Sequence, residues 1–425
     1  MRRATHRLPG LLLTEHEFQV PLDHASPAGE QITLFAREAV APRKRDQGLP
    51  WLVYLQGGPG GLTPRPRGRS GWLGRALQDH RVLLLDQRGT GRSTPQTRQT
   101  LAELPDASSQ ARHLTHFRAD SIARDTELVR RELLGDEVWT ALGQSFGGFA
   151  SLTYLSFAPE GLRDVIITGG LPPLGRSADD VYRATYDRVA SRQQRFVGRY
   201  PEDQEVLDAV ADHVARVDVR LPSGDPLTVP RLQQLGIWLG AGDGPEELHY
   251  LLERAWAGAE LADEFLVDVE AKTTFVDRPL YALLHESIYC DGPGHASAWA
   301  AQRERDKRPD LAPDVRPLPL TGEMIYPWMF ETDRTLAPLA EAAQLLADNE
   351  GWGALYDHDR LASNTVPVAA AVYHDDMYVE YAYSMDTAAR LGACEPWVTN
   401  EFSHDGLRSD ARVLDRLLDM VAGEV

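Results

Sequence analysis

Short apolar runs alternate with longer amphipathic stretches over roughly the first 170 residues of the chain. Runs without polar alternation are typical of strands buried on both faces of a sheet. We place such strands at 32–40, 51–55, 82–85, 138–142 and 165–168. Apolar residues at helical spacing predict a helix at 121–134, capped by Asp120 or Ser121. Strands that alternate with helices indicate an α/β fold with a mostly parallel, doubly wound sheet.

The pattern changes near residue 179, where helix formers and charged residues replace the apolar runs. Helices are predicted at 179–199, 202–217, 230–239 and 245–256. Strand-like runs return at 366–373 and 397–402, and a final amphipathic helix is predicted at 409–420. We therefore predict an inserted helical cap domain over 176–334, between the first (1–175) and second (335–425) parts of the α/β domain.

Composition and charge narrow the choice of partner and compartment. A chain of 425 residues fits one large domain with an insertion, and its net charge of -19 argues against nucleic acid or anionic membranes as partners. Two cysteines, Cys290 and Cys394, do not form a disulfide framework, and the first apolar run (11–13) is too short for a signal peptide. We expect a cytoplasmic protein that needs no metal and no cofactor. Its oligomeric state is not readable from the sequence.

The sequence GQSFGG at 143–148 lies between a predicted strand and a predicted helix. A serine flanked by glycines at such a junction is typical of a nucleophile elbow, where a tight turn exposes the hydroxyl. Ser145 is therefore the candidate nucleophile, and the amide of Phe146 would face the developing oxyanion. The alternative is a glycine-rich turn with a capping serine.

A catalytic serine needs a base and an acid that orients the base, and in hydrolases of this kind they follow in the order Ser, acid, His. His404 follows the last predicted strand, so it is the candidate base. The strand at 366–373 is followed by Asp375 and Asp376, and of these Asp376 is the preferred acid, with Asp375 as the alternative. Asp405 adjoins the base, but its side chain would have difficulty reaching the preceding imidazole.

Two glycine-rich loops follow early strands. The loop QGGPGG at 56–61 would let the backbone approach a substrate, with the Gly58 amide as the second oxyanion donor; the alternative is a flexible surface turn. The loop DQRGTGRS at 86–93 lacks the spacing of a phosphate-binding loop. We expect Asp86 and Arg88 to hold this second loop in shape beneath the site.

These motifs together resemble the proline iminopeptidase (prolyl aminopeptidase) family, in its larger form. The resemblance rests on GGPGG, DQRGTGRS, GQSFGG and the late Asp and His, with TGGLPP, HESIY and TGEMIYPW in support, and it extends from about residue 17 to the C-terminus. It implies a serine peptidase of the α/β-hydrolase fold with a helical cap. One departure is Gln56, where many relatives carry His, but this side chain does not supply the oxyanion amides.

The resemblance also implies a substrate, namely peptides with a free N-terminal proline. In the family, cap carboxylates hold the cationic imino group, and the matching positions are Glu286 and Glu323. Aromatic neighbours such as Tyr289 would suit the pyrrolidine ring. Three alternatives stay open: a broader aminopeptidase, an amidase or esterase with no free-amine requirement, and a ligand-binding relative without catalysis. Preferred peptide length and tolerance of hydroxyproline stay unresolved.

Overall fold

The computed structural model describes residues 2–425. Its strands are β1 (Arg2–Leu8), β2 (Leu11–Pro21), β3 (Gln31–Val40), β4 (Trp51–Leu55), β5 (Arg81–Asp86), β6 (Trp139–Gln144), β7 (Leu162–Thr168), β8 (Trp256–Ala257), β9 (Glu260–Leu261), β10 (Val368–Tyr373) and β11 (Cys394–Thr399). All but β8 and β9 form one sheet in the order β1-β2-β3-β5-β4-β6-β7-β10-β11. The first three strands are antiparallel, whereas β5, β4, β6, β7, β10 and β11 run parallel. The predicted mostly parallel sheet is confirmed, with an antiparallel N-terminal extension that was not predicted.

The helices fall into three groups along the chain. Those before β7 are α1 (Gly71–Ala76), α2 (Arg98–Leu101), α3 (Ala107–Leu114), α4 (Ala119–Leu134) and α5 (Phe146–Phe157). Those between β7 and β10 are α6 (Ala178–Arg199), α7 (Pro201–Val214), α8 (Val229–Gln233), α9 (Gly244–Leu252), α10 (Asp263–Thr273), α11 (Pro279–Leu284), α12 (Ala300–Asp306), α13 (Met329–Thr332), α14 (Ala340–Ala347) and α15 (His358–Ala362). The last are α16 (Tyr381–Arg390), α17 (Gly406–Ser409) and α18 (Arg412–Ala422).

Several local predictions differ from the structure, among them the strand predicted at 397–402, which lies at Cys394–Thr399 as β11. Helix α4 begins at Ala119 after an uncapped Arg118, so Asp120 lies in its first turn and is not the cap. The helix predicted at 230–239 is α-helical only to Gln233 and continues as a 3-10 helix to Gly240. This 3-10 segment packs closely against the chain at Thr321. A side chain at Gly236 would lie only 2.4 Å from the carbonyl oxygen of Thr321. The helix predicted at 245–256 ends at residue 252, before the β8–β9 hairpin.

Helices cover both faces of the sheet, because strands that are apolar on both faces must be shielded from water on each side. On one face α4 and α5 bury residues such as Val129 and Leu152. On the other, α1 and α18 bury Leu73 and Leu417. Helix α11 reaches the loop after β4, because a side chain at Gly60 would lie 2.7 Å from Cβ of Leu280. The segment between β7 and β10 thus touches the edge of the sheet where the strands end, while the domain boundaries at 175 and 334 stay predictions.

No helix of the described chain combines the length and the apolar character needed to cross a lipid bilayer. Both cysteines are free thiols, and Cys290 is buried. The cytoplasmic location stays a prediction.

Candidate active site

Parallel pairing brings four loops to one edge of the sheet. Strand register places Leu55 of β4 beside Gly143 of β6, Gln144 of β6 beside Thr168 of β7, and Tyr373 of β10 beside Thr399 of β11. The loops that follow β4, β6, β10 and β11 therefore leave the sheet at the same edge. The carboxyl ends of strands are where open α/β sheets assemble their sites.

The turn after β6 requires both a strained serine and three glycines. Ser145 has φ 84° and ψ -119°, a region that few residues other than glycine adopt. A side chain at Gly143 would lie 2.4 Å from the carbonyl oxygen of Gly147, one at Gly147 2.0 Å from that of Leu55, and one at Gly148 2.3 Å from that of Gly170. Only glycine fits at these contacts, so the predicted elbow is the local geometry of the chain.

His404 connects Ser145 to Asp376. Its Nδ1 lies 2.7 Å from Asp376 Oδ2, and its Nε2 lies 2.9 Å from Ser145 Oγ. With the Nδ1 proton donated to the carboxylate, Nε2 is free to accept the serine proton. Burial works to lower the pKa of His404, but the charge and hydrogen bond of Asp376 outweigh it and raise that pKa. The three side chains thus have the arrangement of a Ser-His-Asp triad.

The two neighbouring carboxylates, Asp375 and Asp405, are paired with groups other than His404. Asp375 forms a two-pronged ion pair with Arg195, at 2.5 and 3.0 Å, and this hydrogen bonding lowers its pKa to about 2. Asp405 accepts from Arg408 at 2.7 Å and from the Gly242 amide at 2.8 Å. Of the two candidate acids, the structure therefore favours Asp376.

The loop after β4 lies against the nucleophile. A side chain at Gly57 would lie 2.9 Å from Cβ of Ser145, and one at Gly58, which has φ +145°, would lie 2.6 Å from the Gly61 amide nitrogen. Among the residues that the structure describes, no turn or loop carbonyl accepts from the amides of Gly58 and Phe146. Both predicted oxyanion donors are thus adjacent to Ser145 and unengaged by other loops.

The loop at 86–93 is held by buried ion pairs. Arg65 makes two hydrogen bonds to Asp86, at 2.6 and 2.7 Å, and the Arg92 amide donates to the same carboxylate. Arg88 is fully buried and makes a two-pronged pair with Asp125, at 2.6 and 2.7 Å. Gln87 donates to the Gln56 carbonyl at 3.1 Å, which connects this loop to the one that carries Gly58.

A cavity of about 340 Å³ opens over Ser145 and His404. Glu323 lines it and accepts a hydrogen bond from the Tyr281 hydroxyl at 2.5 Å. Tyr378 also lines it and sets its ring edge-on to His404, with centroids 4.8 Å apart. Tyr281 and Tyr378 were missed by sequence reasoning. Tyr281 had a weak signal, since it lies four residues before His285 on the helix that leads into HESIY.

Glu286 occupies a different environment from Glu323. It is not among the residues that line the cavity, and its carboxylate accepts the amides of Ala300 and Ala301, at 3.1 and 2.9 Å. Burial raises its pKa to about 7. Glu286 thus stands behind the cavity wall, and its predicted contact with substrate amine stays a prediction.

Tyr289 lies in an aromatic cluster beside the cavity wall. Its ring meets those of Phe149 and Tyr182 edge-on, at centroid distances of 6.3 and 6.0 Å. Burial raises the pKa of Tyr289, and the charges of Glu323 and Glu286 raise it further. The phenol is therefore within electrostatic reach of both glutamates, although it does not itself line the cavity.

The described part of the chain was also searched for groups of side chains that could bind a metal ion. No group of three His, Cys, Asp or Glu side chains within 2–425 is arranged to hold one.

Comparison with known proteins places the chain in a family. Residues 50–260 match the model of the α/β-hydrolase fold family. The chain is 53% identical to a proline iminopeptidase from Aeromonas sobria over 97% of both chains. It is 36% identical to proline iminopeptidase aneH from Aspergillus aculeatus over 96% of this chain and 93% of the relative. MGS-M2, an α/β hydrolase of known structure from a deep-sea metagenome, aligns with a TM-score of 0.46 at 9% identity, covering 94% of this chain and 97% of that one.

The first of these matches combines an identity above one half with nearly complete coverage of both chains. The chain therefore belongs to the proline iminopeptidase family, aminopeptidases of the α/β-hydrolase fold.

Proposed function

We propose that this protein is a serine exopeptidase that releases N-terminal proline from peptides through a prolyl-enzyme intermediate. The observation that carries the proposal is one cavity that joins the Ser145–His404 pair to the carboxylate of Glu323. The names of the two curated relatives support the choice of proline. Ser145 as nucleophile accounts for cleavage of the peptide bond. The carboxylate of Glu323 accounts for cleavage at the N-terminus, because it can bind the charged imino group there.

The first half of the reaction forms the acyl-enzyme. Ser145 Oγ attacks the carbonyl carbon of the N-terminal residue while His404 Nε2 takes its proton, and Asp376 stabilises the resulting imidazolium. The amides of Phe146 and Gly58 donate to the oxyanion. His404 then protonates the departing amine. In the second half, water attacks the prolyl ester with His404 again as base, and proline leaves with Ser145 restored.

Recognition of the free imino group depends on charge. A secondary ammonium ion in this cavity would lose much of its hydration, so it needs an anionic partner. Glu323 supplies that partner from the cavity wall, and Tyr281 holds its carboxylate in place. Glu286 contributes a second negative charge from behind the cavity wall, because the bound imino cation favours the ionised form of its carboxyl group. The rings of Tyr281 and Tyr378, which line the cavity, flank the pyrrolidine ring, and the aromatic cluster around Tyr289 lies beside the cavity wall.

A substrate panel tests the proposal. Proline 4-nitroanilide should be hydrolysed rapidly, its N-acetyl form should be inert, and alanine 4-nitroanilide should be slow. Equal rates of hydrolysis for the free and the acetylated compound would contradict a free-amine requirement and indicate a general amidase or esterase. Equal rates of hydrolysis for the proline and the alanine compound would contradict specificity for proline and indicate a broader aminopeptidase.

A variant pair tests the amine anchor. Glu323→Gln removes the charge but keeps the shape, and should raise KM for proline 4-nitroanilide roughly 10- to 100-fold, the worth of a hydrogen bond to a charged group. Glu331→Gln removes an exposed glutamate of the same segment and should leave KM unchanged. An unchanged KM in Glu323→Gln would remove Glu323 from the binding site.

A further inference from the structure

One wall of the cavity is formed by the end of β4 and the start of α1. Tyr54, Gln56 and Trp72 line it, and the rings of Tyr54 and Trp72 stack with their centres 4.5 Å apart. Both aromatic side chains are almost fully buried. The Tyr54 hydroxyl donates to Gln56 Oε1 at 3.1 Å. The side chain of Gln56 is therefore held from behind by a packed aromatic pair.

The Tyr54 hydroxyl fixes the orientation of the Gln56 amide. Burial raises the pKa of Tyr54, so the phenol keeps its proton and needs an acceptor. Gln56 Oε1 is the acceptor that it has among residues 2–425. With the oxygen engaged in this way, the NH2 group of Gln56 points away from Tyr54 and makes no hydrogen bond to any described residue. The cavity therefore presents an oriented amide donor that is free to bind substrate.

Gln56 is next to the reacting groups along the chain and in space. The following residue, Gly57, lies so close to Ser145 that a side chain there would come within 2.9 Å of the Ser145 Cβ. The residue after that is Gly58, the candidate oxyanion donor. The main chain of Gln56 is itself held, because its carbonyl accepts from Gln87 at 3.1 Å. Consecutive α-carbons are about 3.8 Å apart, so the amide donor of Gln56 lies about one or two residue lengths from the scissile bond.

We propose that Gln56 Nε2 donates a hydrogen bond to the carbonyl oxygen of the second peptide residue, the residue that leaves. This proposal rests on the proposed function, because it assigns the next subsite of the same substrate. The imino group lies at Glu323 and the scissile carbonyl at Ser145, so the leaving residue extends away from Glu323. Among the described residues, no hydrogen bond or ring contact joins the Gln56 wall to Glu323 or Tyr281. The two walls therefore bind different parts of the peptide.

A main-chain carbonyl is the partner that suits this donor. An amide NH2 group donates and does not accept, and every second residue of a peptide carries a carbonyl next to its α-carbon. A hydrogen bond between neutral groups contributes roughly 3- to 10-fold to binding. Because the carbonyl is common to all residues, Gln56 favours peptides over simple alkylamides without selecting a side chain or a peptide length. Tyr54 is a positioning residue, since it acts only through Gln56.

The test compares prolyl-alaninamide with proline isopropylamide, in which a methyl group replaces the second carbonyl and its amide. Free proline is measured by chromatography, and the ratio of kcat/KM for the two substrates is determined for each variant. The two leaving amines differ in basicity, so the change of this ratio from wild type is the readout. Gln56→Met keeps the length of the side chain but removes the donor, and it should lower the ratio roughly 3- to 10-fold. Gln56→His should keep most of the ratio, because an imidazole N–H can donate.

Two further variants complete the test. Tyr54→Phe keeps the ring on Trp72 but frees the Gln56 amide to rotate, so it should lower the ratio by part of the Gln56→Met effect. Gln78→Met is the matched control, because it makes the same substitution at an exposed glutamine outside the cavity, and it should keep the wild-type ratio.

A wild-type ratio in Gln56→Met would overturn the proposal. So would a Gln56→Met variant in which kcat/KM falls by the same factor for both substrates, as expected of a purely structural glutamine. Failure of the proposed function gives a different result, since the wild-type protein would then release no proline from prolyl-alaninamide or from proline 4-nitroanilide.

Discussion

Replacing Asp376 by Asn should remove most of the activity while the fold remains. Asp376 Oδ1 accepts the amides of Tyr378 and Val379, at 2.8 and 3.1 Å, and an asparagine carbonyl can keep both contacts. Its NH2 group must then face His404 Nδ1, where the carboxylate lay 2.7 Å away. The imidazole would have to accept at Nδ1 and carry its proton on Nε2, so it could no longer take the proton of Ser145.

The magnitude follows from the lost charge. A carboxylate and an imidazolium about 4 Å apart attract by about 4 kcal/mol at an effective dielectric constant of about 20. That energy corresponds to about three powers of ten in rate, and the wrong tautomer adds to it. We therefore expect kcat of Asp376→Asn to fall roughly 10³- to 10⁴-fold. Loss of the carboxylate also removes what raises the pKa of His404, so the acid limb of kcat/KM should move to lower pH.

Asp375→Asn is the matched control, because it changes the adjacent residue in the same way. Asp375 pairs with the exposed Arg195, and such a pair contributes at most about 1 kcal/mol to stability. Initial rates on proline 4-nitroanilide from pH 5 to 9 should be close to wild type for this variant. The reasoning fails if Asp376→Asn keeps more than a tenth of wild-type kcat, or if Asp375→Asn loses as much.

Three further predictions concern the elbow, the nucleophile and the buried glutamate. Gly148→Ala places a methyl group 2.3 Å from a backbone carbonyl oxygen, so it should lower both the activity and the melting temperature. Its control is Gly198→Ala on helix α6, where the methyl group would meet open space; this variant should be neutral or stabilising in the same thermal melt. Ser145→Ala should lower kcat about 10⁴- to 10⁶-fold, with proline binding retained by calorimetry. Because burial raises the pKa of Glu286 to about 7, the protonated form favours folding, and this stabilisation is lost as pH rises. In denaturant titrations the wild type should lose up to about 3 kcal/mol relative to Glu286→Gln between pH 4.5 and 7, and a pH-independent difference would contradict the assignment.

The regular elements could be predicted because their signals are local. The apolar run at 51–55 matches β4 to the residue, since a strand buried on both faces has no polar position to blur its limits. The hairpin of β1 and β2 was missed because its stability comes from pairing with β3, a contact distant along the chain. The 3-10 segment at 234–240 was also missed; it lies against residue 321, a contact that is distant along the chain.

The hydrogen-bonded arrangement of Ser145, His404 and Asp376 was predictable from order and spacing, whereas the placement of the two glutamates relative to the cavity was not. Ser145, Asp376 and His404 each follow a buried strand, and parallel strands end at one edge, so a one-dimensional pattern implies their meeting. The choice of Asp376 over Asp375 needed side-chain directions, because neighbouring residues of a loop face different ways.

The sequence by itself determined the α/β sheet, the elbow and the three side chains that we propose carry the chemistry, because strand periodicity and glycine geometry act over a few residues. Only the tertiary structure decided which carboxylate faces the cavity. Glu286 and Glu323 look alike in sequence, yet one accepts amides of α12 behind the wall and the other lines the cavity. Only packing could place Arg278 in the lining of the same cavity as Glu323 without an ion-pair partner among residues 2–425, since the pairing of a charge depends on every segment that folds around it.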